Sequence, residues 1–209
     1  RHPRQLRARA AGQGRRVARL PLPLAPRLTR EARHLSHYGI TVGEPVLDYA
    51  KLLARVREVV DDVRARSAFR GQIDSLGVTV CEQAGAARFS DPHTIETESG
   101  IRLQAEKIII CTGGISRRLS VPGVELTATH SDAWALTSVP PSMLVIGAGG
   151  TGAQVASIFN AFGSRIQLFQ AGPRILPTED EDVSAAMATA FRESGIVVRE
   201  NFRKIESFE

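Results

Sequence analysis

Sulfur and aromatic rings are scarce in this chain: 209 residues hold two cysteines, two methionines, one tryptophan and 5% aromatic residues. Two cysteines, Cys81 and Cys111, cannot build the disulfide framework of a small secreted domain. They fall on separate expected strands with no neighbouring base, so both are expected to be buried structural residues. His34, His37, His93 and His130 show no metal-ligand spacing, and no metal site and no catalytic residue is assigned. Long apolar runs are missing too. The longest, such as residues 108–111 and 143–146, are far too short to cross a bilayer, so no membrane partner is expected. No basic start leads into an apolar stretch and a small-residue cleavage site, and a reduced, cytoplasmic setting is the expectation. An apolar content of 43% excludes the disordered class for the chain as a whole.

Acidic residues are nearly absent from the first 33 positions, where Glu31 stands against ten arginines. Of 27 basic and 22 acidic residues in the chain, 17 and 21 therefore remain beyond position 33, a net charge of −4. The excess positive charge belongs to the head, which argues against a nucleic-acid-binding face on the folded body. Residues 1–27 read as a disordered basic head in which Pro21, Pro23 and Pro26 break any long helix. Three readings stay open for it: a tail touching phosphate or an acidic partner, a disordered end, or a stretch that is not native coding sequence.

Regular patterning begins at Asp48, a good N-cap, followed by Leu52, Leu53, Val56, Val59, Val60 and Val63 at helical spacing. Lys51, Arg55, Arg57, Asp61 and Asp62 fall mostly on the opposite face, which predicts an amphipathic helix ending before Gly77. Residues 78–81 read as a short β-branched strand. Residues 94–98 and 101–105, joined by Ser99 and Gly100, read as a hairpin. Residues 107–111 (KIIIC) form a continuous apolar run ending at Thr112-Gly113-Gly114, the pattern of a parallel strand buried on both faces. Residues 116–141 connect, broken by Pro122-Gly123 and Pro140-Pro141.

Then comes a strict alternation. A buried strand is expected at 143–146, a helix at 153–162 stopped by Gly163, and a strand at 166–169. A helix at 182–194 stopped by Gly195 and a strand at 196–198 follow. Such alternation means a parallel α/β sheet.

Between the first strand and its helix stands Gly147-Ala148-Gly149-Gly150-Thr151-Gly152. A lone GxGxxG is weak, but here it lies between a strand and a helix, with a second strand about twenty residues on. Gly147 permits the tight turn, Gly149 lets backbone approach a pyrophosphate, and Gly152 lets helix and strand pack closely. Amides at the helix start, Gly150 included, would face the phosphates. After the second strand, where a carboxylate would bond the ribose of NAD, stands Gln170, with Arg174 four residues on. NAD and NADP therefore stay open.

Residues 106–114 (EKIIICTGG), Val121-Pro122-Gly123, residues 131–136 and residues 144–177 together resemble the pyridine nucleotide–disulfide oxidoreductases, the flavoenzyme family of dihydrolipoamide dehydrogenase and mercuric reductase. The resemblance implies an α/β fold of Rossmann-like FAD- and NAD(P)-binding domains plus a small hairpin or meander, incomplete at both ends. It implies the later part of an FAD domain over 28–140 and the first part of an NAD(P) domain over 141–209. Thr112 and Gly113 match the strand end that passes FAD, with Cys111 replacing an alanine, and Gly85 and Ala87 resemble the small residues near the FAD adenosine. The implied activity is hydride transfer between nicotinamide and flavin, then to a disulfide or other small-molecule acceptor, in a homodimer when full length. The family's own FAD-binding GxGxxG and its Cys-x4-Cys pair are not in this sequence. Gln154 stands where most members carry a glutamate. By this reading the chain alone is an inactive fragment. Two alternatives stand beside it: a non-catalytic nucleotide-binding module, and an Arg-rich nucleic-acid-binding protein.

Overall fold

A computed structural model of the chain describes residues 21–66, 71, 73, 75–116, 118–202 and 204–209. Among them the chain divides into two compact units, one of residues 61–115 and one of residues 21–60 and 116–209.

The second unit is built on a parallel three-stranded sheet in the order β4-β5-β6, formed by β4 (Ser142–Ile146), β5 (Arg165–Phe169) and β6 (Val197–Arg199). Helix α4 (Gly150–Ala161) connects β4 to β5, and α5 (Glu181–Glu193) connects β5 to β6. The alternation expected from the sequence is therefore present, with boundaries moved by one to three residues. Gly163 ends α4 at φ +99, where its N–H donates to Asn160 and the Ser164 N–H to Phe159. A left-handed residue there favours glycine. Val145, Ile166 and Leu168 of the strands pack with Val155, Ile158 and Phe159 of α4 and Ala188 and Phe191 of α5 in one buried cluster. The expectation that 143–146 is buried throughout holds for one face only. Leu144 and Ile146 are 64% and 43% exposed, because among the described residues no element covers the opposite face of β4.

Two further helices belong wholly or mainly to this unit. Asp48 caps α2 (Tyr49–Arg66) as expected, its Oδ1 accepting the Lys51 N–H at 2.9 Å. Val56 and Val60 of the apolar stripe are buried, against the partly buried Leu52 and Trp134. Helix α1 (Pro21–His34) corrects the reading of the head: residues 21–27 are helical despite three prolines, while residues 1–20 lie outside the described residues. Pro21 and Pro23 fall in the first turn, where no N–H is needed, and only Pro26 removes a helical hydrogen bond. Packing offsets that loss, for Pro26 is fully buried and Arg30 donates to the Ser157 carbonyl and hydroxyl of α4 at 3.3 and 3.2 Å. Between Ser116 and Pro141 the described connection carries a 3-10 turn, Val124–Leu126, and a short helix, α3 (His130–Ala133), closed by a capping box between Thr129 and Asp132.

The first unit carries an antiparallel meander, β1 (Ala87–Asp91), β2 (Thr94–Thr97) and β3 (Arg102–Gln104). The expected hairpin is its second half. Its tight β1–β2 turn is held by Asp91, whose carboxyl is pushed below the usual carboxylate range by the Thr94 side chain and the His93 N–H. Two strand expectations fail here. Residues 78–81 and 107–111 join no ladder among the described residues, and Ile109 and Ile110 are 87% and 58% exposed. Their apolar pattern suits a central strand, but a strand exists only where a neighbour supplies backbone partners. Both cysteines, expected buried on those strands, are exposed for the same reason.

Candidate nucleotide-binding turn

β4 ends at Ile146 and the chain reverses at Gly147, which takes φ +91 and donates its N–H to the Phe169 carbonyl at 2.8 Å. The next residue is locked on both sides. Ala148 is fully buried, its N–H donates to Gln170 Oε1 at 2.9 Å, and its carbonyl accepts the Leu176 N–H at 2.7 Å. Gly149 is the N-cap of α4 and offers no side chain, so the first amide with an intrahelical acceptor is that of Ala153. The amides of Gly150, Thr151 and Gly152 thus stand at the helix start without an intrahelical partner. No acid occupies that first turn.

Space around the turn tests the three glycines separately. A Cβ on Gly152 would run into the carbonyl of Gly147, with Val145 Cγ1 3.5 Å away. Helix and strand therefore meet at a distance that only glycine allows. At Gly147, Gly149 and Gly150 a Cβ would meet nothing within 4 Å. That open space lies where a phosphate would sit against free amides and the positive end of the helix dipole. The residues present fit a diphosphate.

Gln170 and Arg174 both follow β5, but only Gln170 touches the turn. Gln170 follows β5 directly and holds the turn through Ala148. Arg174 instead closes its own loop, donating to the carbonyls of Glu179 and Pro177 at 2.7 and 3.2 Å and to Ser184 Oγ at 3.2 Å. Sequence reasoning missed Glu200. Its Oε1 accepts the Ile175 N–H at 3.1 Å and its Oε2 accepts Arg192 at 2.8 Å, so it staples the loop after β5 to the end of β6. A polar residue directly after a strand was the available signal. Beyond the turn, Gln154, Ser157, Ile158, Leu176 and Phe191 line a shallow groove of about 300 Å³ together with Gly150 and Arg30.

In the first unit, Ala87 and Thr112 line one hollow of about 110 Å³ with Phe89, Ile95 and residues 108–111, and Gly113 follows at φ +72. Ligand pockets usually run from roughly 300 to 1,000 Å³, so this hollow fits at most an edge of a flavin dinucleotide. Gly85 is demanded locally: it sits at φ +76, and a Cβ there would lie 2.8 Å from Glu98 Cβ. Among the described residues no group of His, Cys, Asp or Glu could hold a metal ion, and no helix is long and apolar enough to cross a membrane.

The family model for pyridine nucleotide-disulphide oxidoreductases matches residues 24–207. A dihydrolipoyl dehydrogenase of Zymomonas mobilis is 34% identical over 172 residues, 79% of this chain and 36% of that protein. The probable pyridine nucleotide-disulfide oxidoreductase RclA of Escherichia coli is 29% identical over 155 residues, 71% of this chain and 34% of the relative. A solved copper(II) complex of the HOCl-induced flavoprotein disulfide reductase RclA superimposes with a TM-score of 0.69. It covers 97% of this chain and 43% of the solved one at 24% identity, and shows the shared fold. The chain thus spans about a third of the length of these two curated relatives.

Proposed function

Because the chain belongs to the pyridine nucleotide-disulphide oxidoreductase family, we propose that residues 141–209 form the first part of its pyridine-nucleotide-binding domain and residues 28–140 the later part of its FAD-binding domain. The observation that carries the reading is the turn from β4 into α4: three amides without an intrahelical partner or a side-chain cap, no acid, and a contact at Gly152 that only glycine allows. In this reading the amides of Gly150, Thr151 and Gly152 bind the diphosphate. Gly149 keeps side chains away from it. Gln170 holds the turn rigid by fixing Ala148 and presents its amide group to the adenosine ribose. A pyridine nucleotide bound there supplies a hydride. The protein's part is to bind and orient.

FAD is proposed as the second cofactor on family grounds, with Ala87, Thr112 and Gly113 at the edge of its site. No chemical step is assigned to these residues. The complete protein is read as an oxidoreductase that passes electrons to a disulfide or other small acceptor, as a homodimer in the cytoplasm. That proposal rests on the relatives, two of which are named as disulfide oxidoreductase or dihydrolipoyl dehydrogenase.

Titrating NADH and NADPH into the 209-residue chain with a fluorescence readout tests the site. Saturable binding that Gly152→Ala abolishes is the expected result. No binding at roughly millimolar nucleotide, a concentration that detects even weak sites, would remove the phosphate-turn assignment.

A further inference from the structure

We infer that the sheet edge beside the turn selects the 2′-phosphorylated dinucleotide, with Arg199 as the specificity-determining residue. The inference rests on the reading that the turn receives the diphosphate, because that reading places the adenosine ribose at the end of β5.

Charge at that place is the first consideration. Gln170 is neutral, and with Oε1 committed to the Ala148 N–H at 2.9 Å it keeps its amide N–H groups as donors. A carboxylate at this position would accept from a ribose hydroxyl and repel a phosphate. An amide accommodates either and repels neither.

The second consideration is what stands next to it. β6 lies beside β5 with Phe169 opposite Arg199, and the Gln170 N–H donates to the Arg199 carbonyl at 2.8 Å. Arg199 is therefore the neighbour of the ribose position on the adjoining strand. Its guanidinium carbon lies 5.9 Å from the centre of the Phe169 ring, so the side chain lies back across β5 rather than outward. It is exposed, and among the described residues no carboxylate pairs with it.

Nearby charges leave Arg199 this role. Glu200, next in the chain, is turned to the Ile175 N–H and to Arg192. Arg174 adds positive charge, but its two terminal nitrogens are bound to Pro177, Glu179 and Ser184 and fix the loop. A dianionic 2′-phosphate at the end of β5 would thus have the Arg199 guanidinium available from the adjoining strand, with the neighbouring Glu200 already engaged. A guanidinium suits this task, being permanently charged and able to bond phosphate through two N–H groups.

Parallel titrations of NADPH and NADH into the unmodified chain at low salt decide the matter. NADPH should bind at least about tenfold tighter, the scale of a charge-assisted hydrogen bond, with the preference shrinking as salt is added. Arg199→Ala should remove that preference by weakening NADPH about tenfold while NADH stays within about twofold. Arg199→Lys should retain part of it, and Gln170→Glu should reverse it. Circular dichroism of each variant confirms that the fold is kept. Equal affinity for the two nucleotides, tighter NADH, or an Arg199→Ala loss shared by both overturns the inference alone. Binding of neither nucleotide overturns the phosphate-turn reading, and the inference with it.

Discussion

Gly150 and Gly152 sit two residues apart in one turn, yet a side chain meets different surroundings at each. Alanine at 152 must displace the Gly147 carbonyl, which pushes α4 away from β4. A thermal melt should show a loss of about 1–3 kcal/mol, the usual cost of overpacking, together with loss of nucleotide binding. Alanine at 150 enters open space, so it should leave the melting temperature intact and weaken nucleotide binding alone by crowding the free amides. Tyr49 gives a prediction in pH. It is 9% exposed and edge-on to Phe162 at 5.9 Å, and burial raises its pKa above the usual 10.0. The neutral phenol is thus favoured in the folded chain. Its contribution is fully present below the ordinary tyrosine pKa and is lost as pH rises through the raised value. Unfolding curves of the unmodified chain should decline on the alkaline side, and Tyr49→Phe should flatten that decline.

At the scale of elements, the loop after β5 is held from several sides. Leu176 donates to Ala148, Ile175 to Glu200, and Asn201 to Gly172. Glu200→Ala removes the acceptor of the Ile175 N–H and the partner of Arg192 together. The expected cost is about 1–3 kcal/mol, the range for leaving a buried donor unsatisfied, read as a lower denaturant midpoint at unchanged slope. β4, α4, β5, α5 and β6 were legible beforehand because each carries its own local signal: an apolar run, a helical stripe, or a glycine stop. Residues 78–81 and 107–111 carry an equally good strand signal and form no strand, since ladder bonds come from a neighbour and not from the segment itself. Helix α1 errs in the opposite direction: three prolines argued for a break, yet two fall in the first turn and the third, Pro26, is buried.

Across the molecule, the α4–α5 core and residues 107–111 lie at opposite ends of the burial range, and local stability should follow. Hydrogen exchange should find the slowest amides in β5, whose Ile166 and Leu168 are fully buried and whose strand is paired on both sides. Residues 108–111, with Ile109 87% exposed, should exchange fastest among the apolar segments; protection there equal to that of β5 would contradict this structure. The sequence alone determined the alternating α/β order, the glycine turn between β4 and α4 and the family, because periodicity and glycine placement are local properties that survive without neighbours. Only the tertiary structure decided which apolar runs become strands, where both cysteines lie, and how Arg174, Arg199 and Glu200 divide the charges around Gln170. Those outcomes depend on residues distant in sequence arriving at one place, and spacing along a chain carries no record of that.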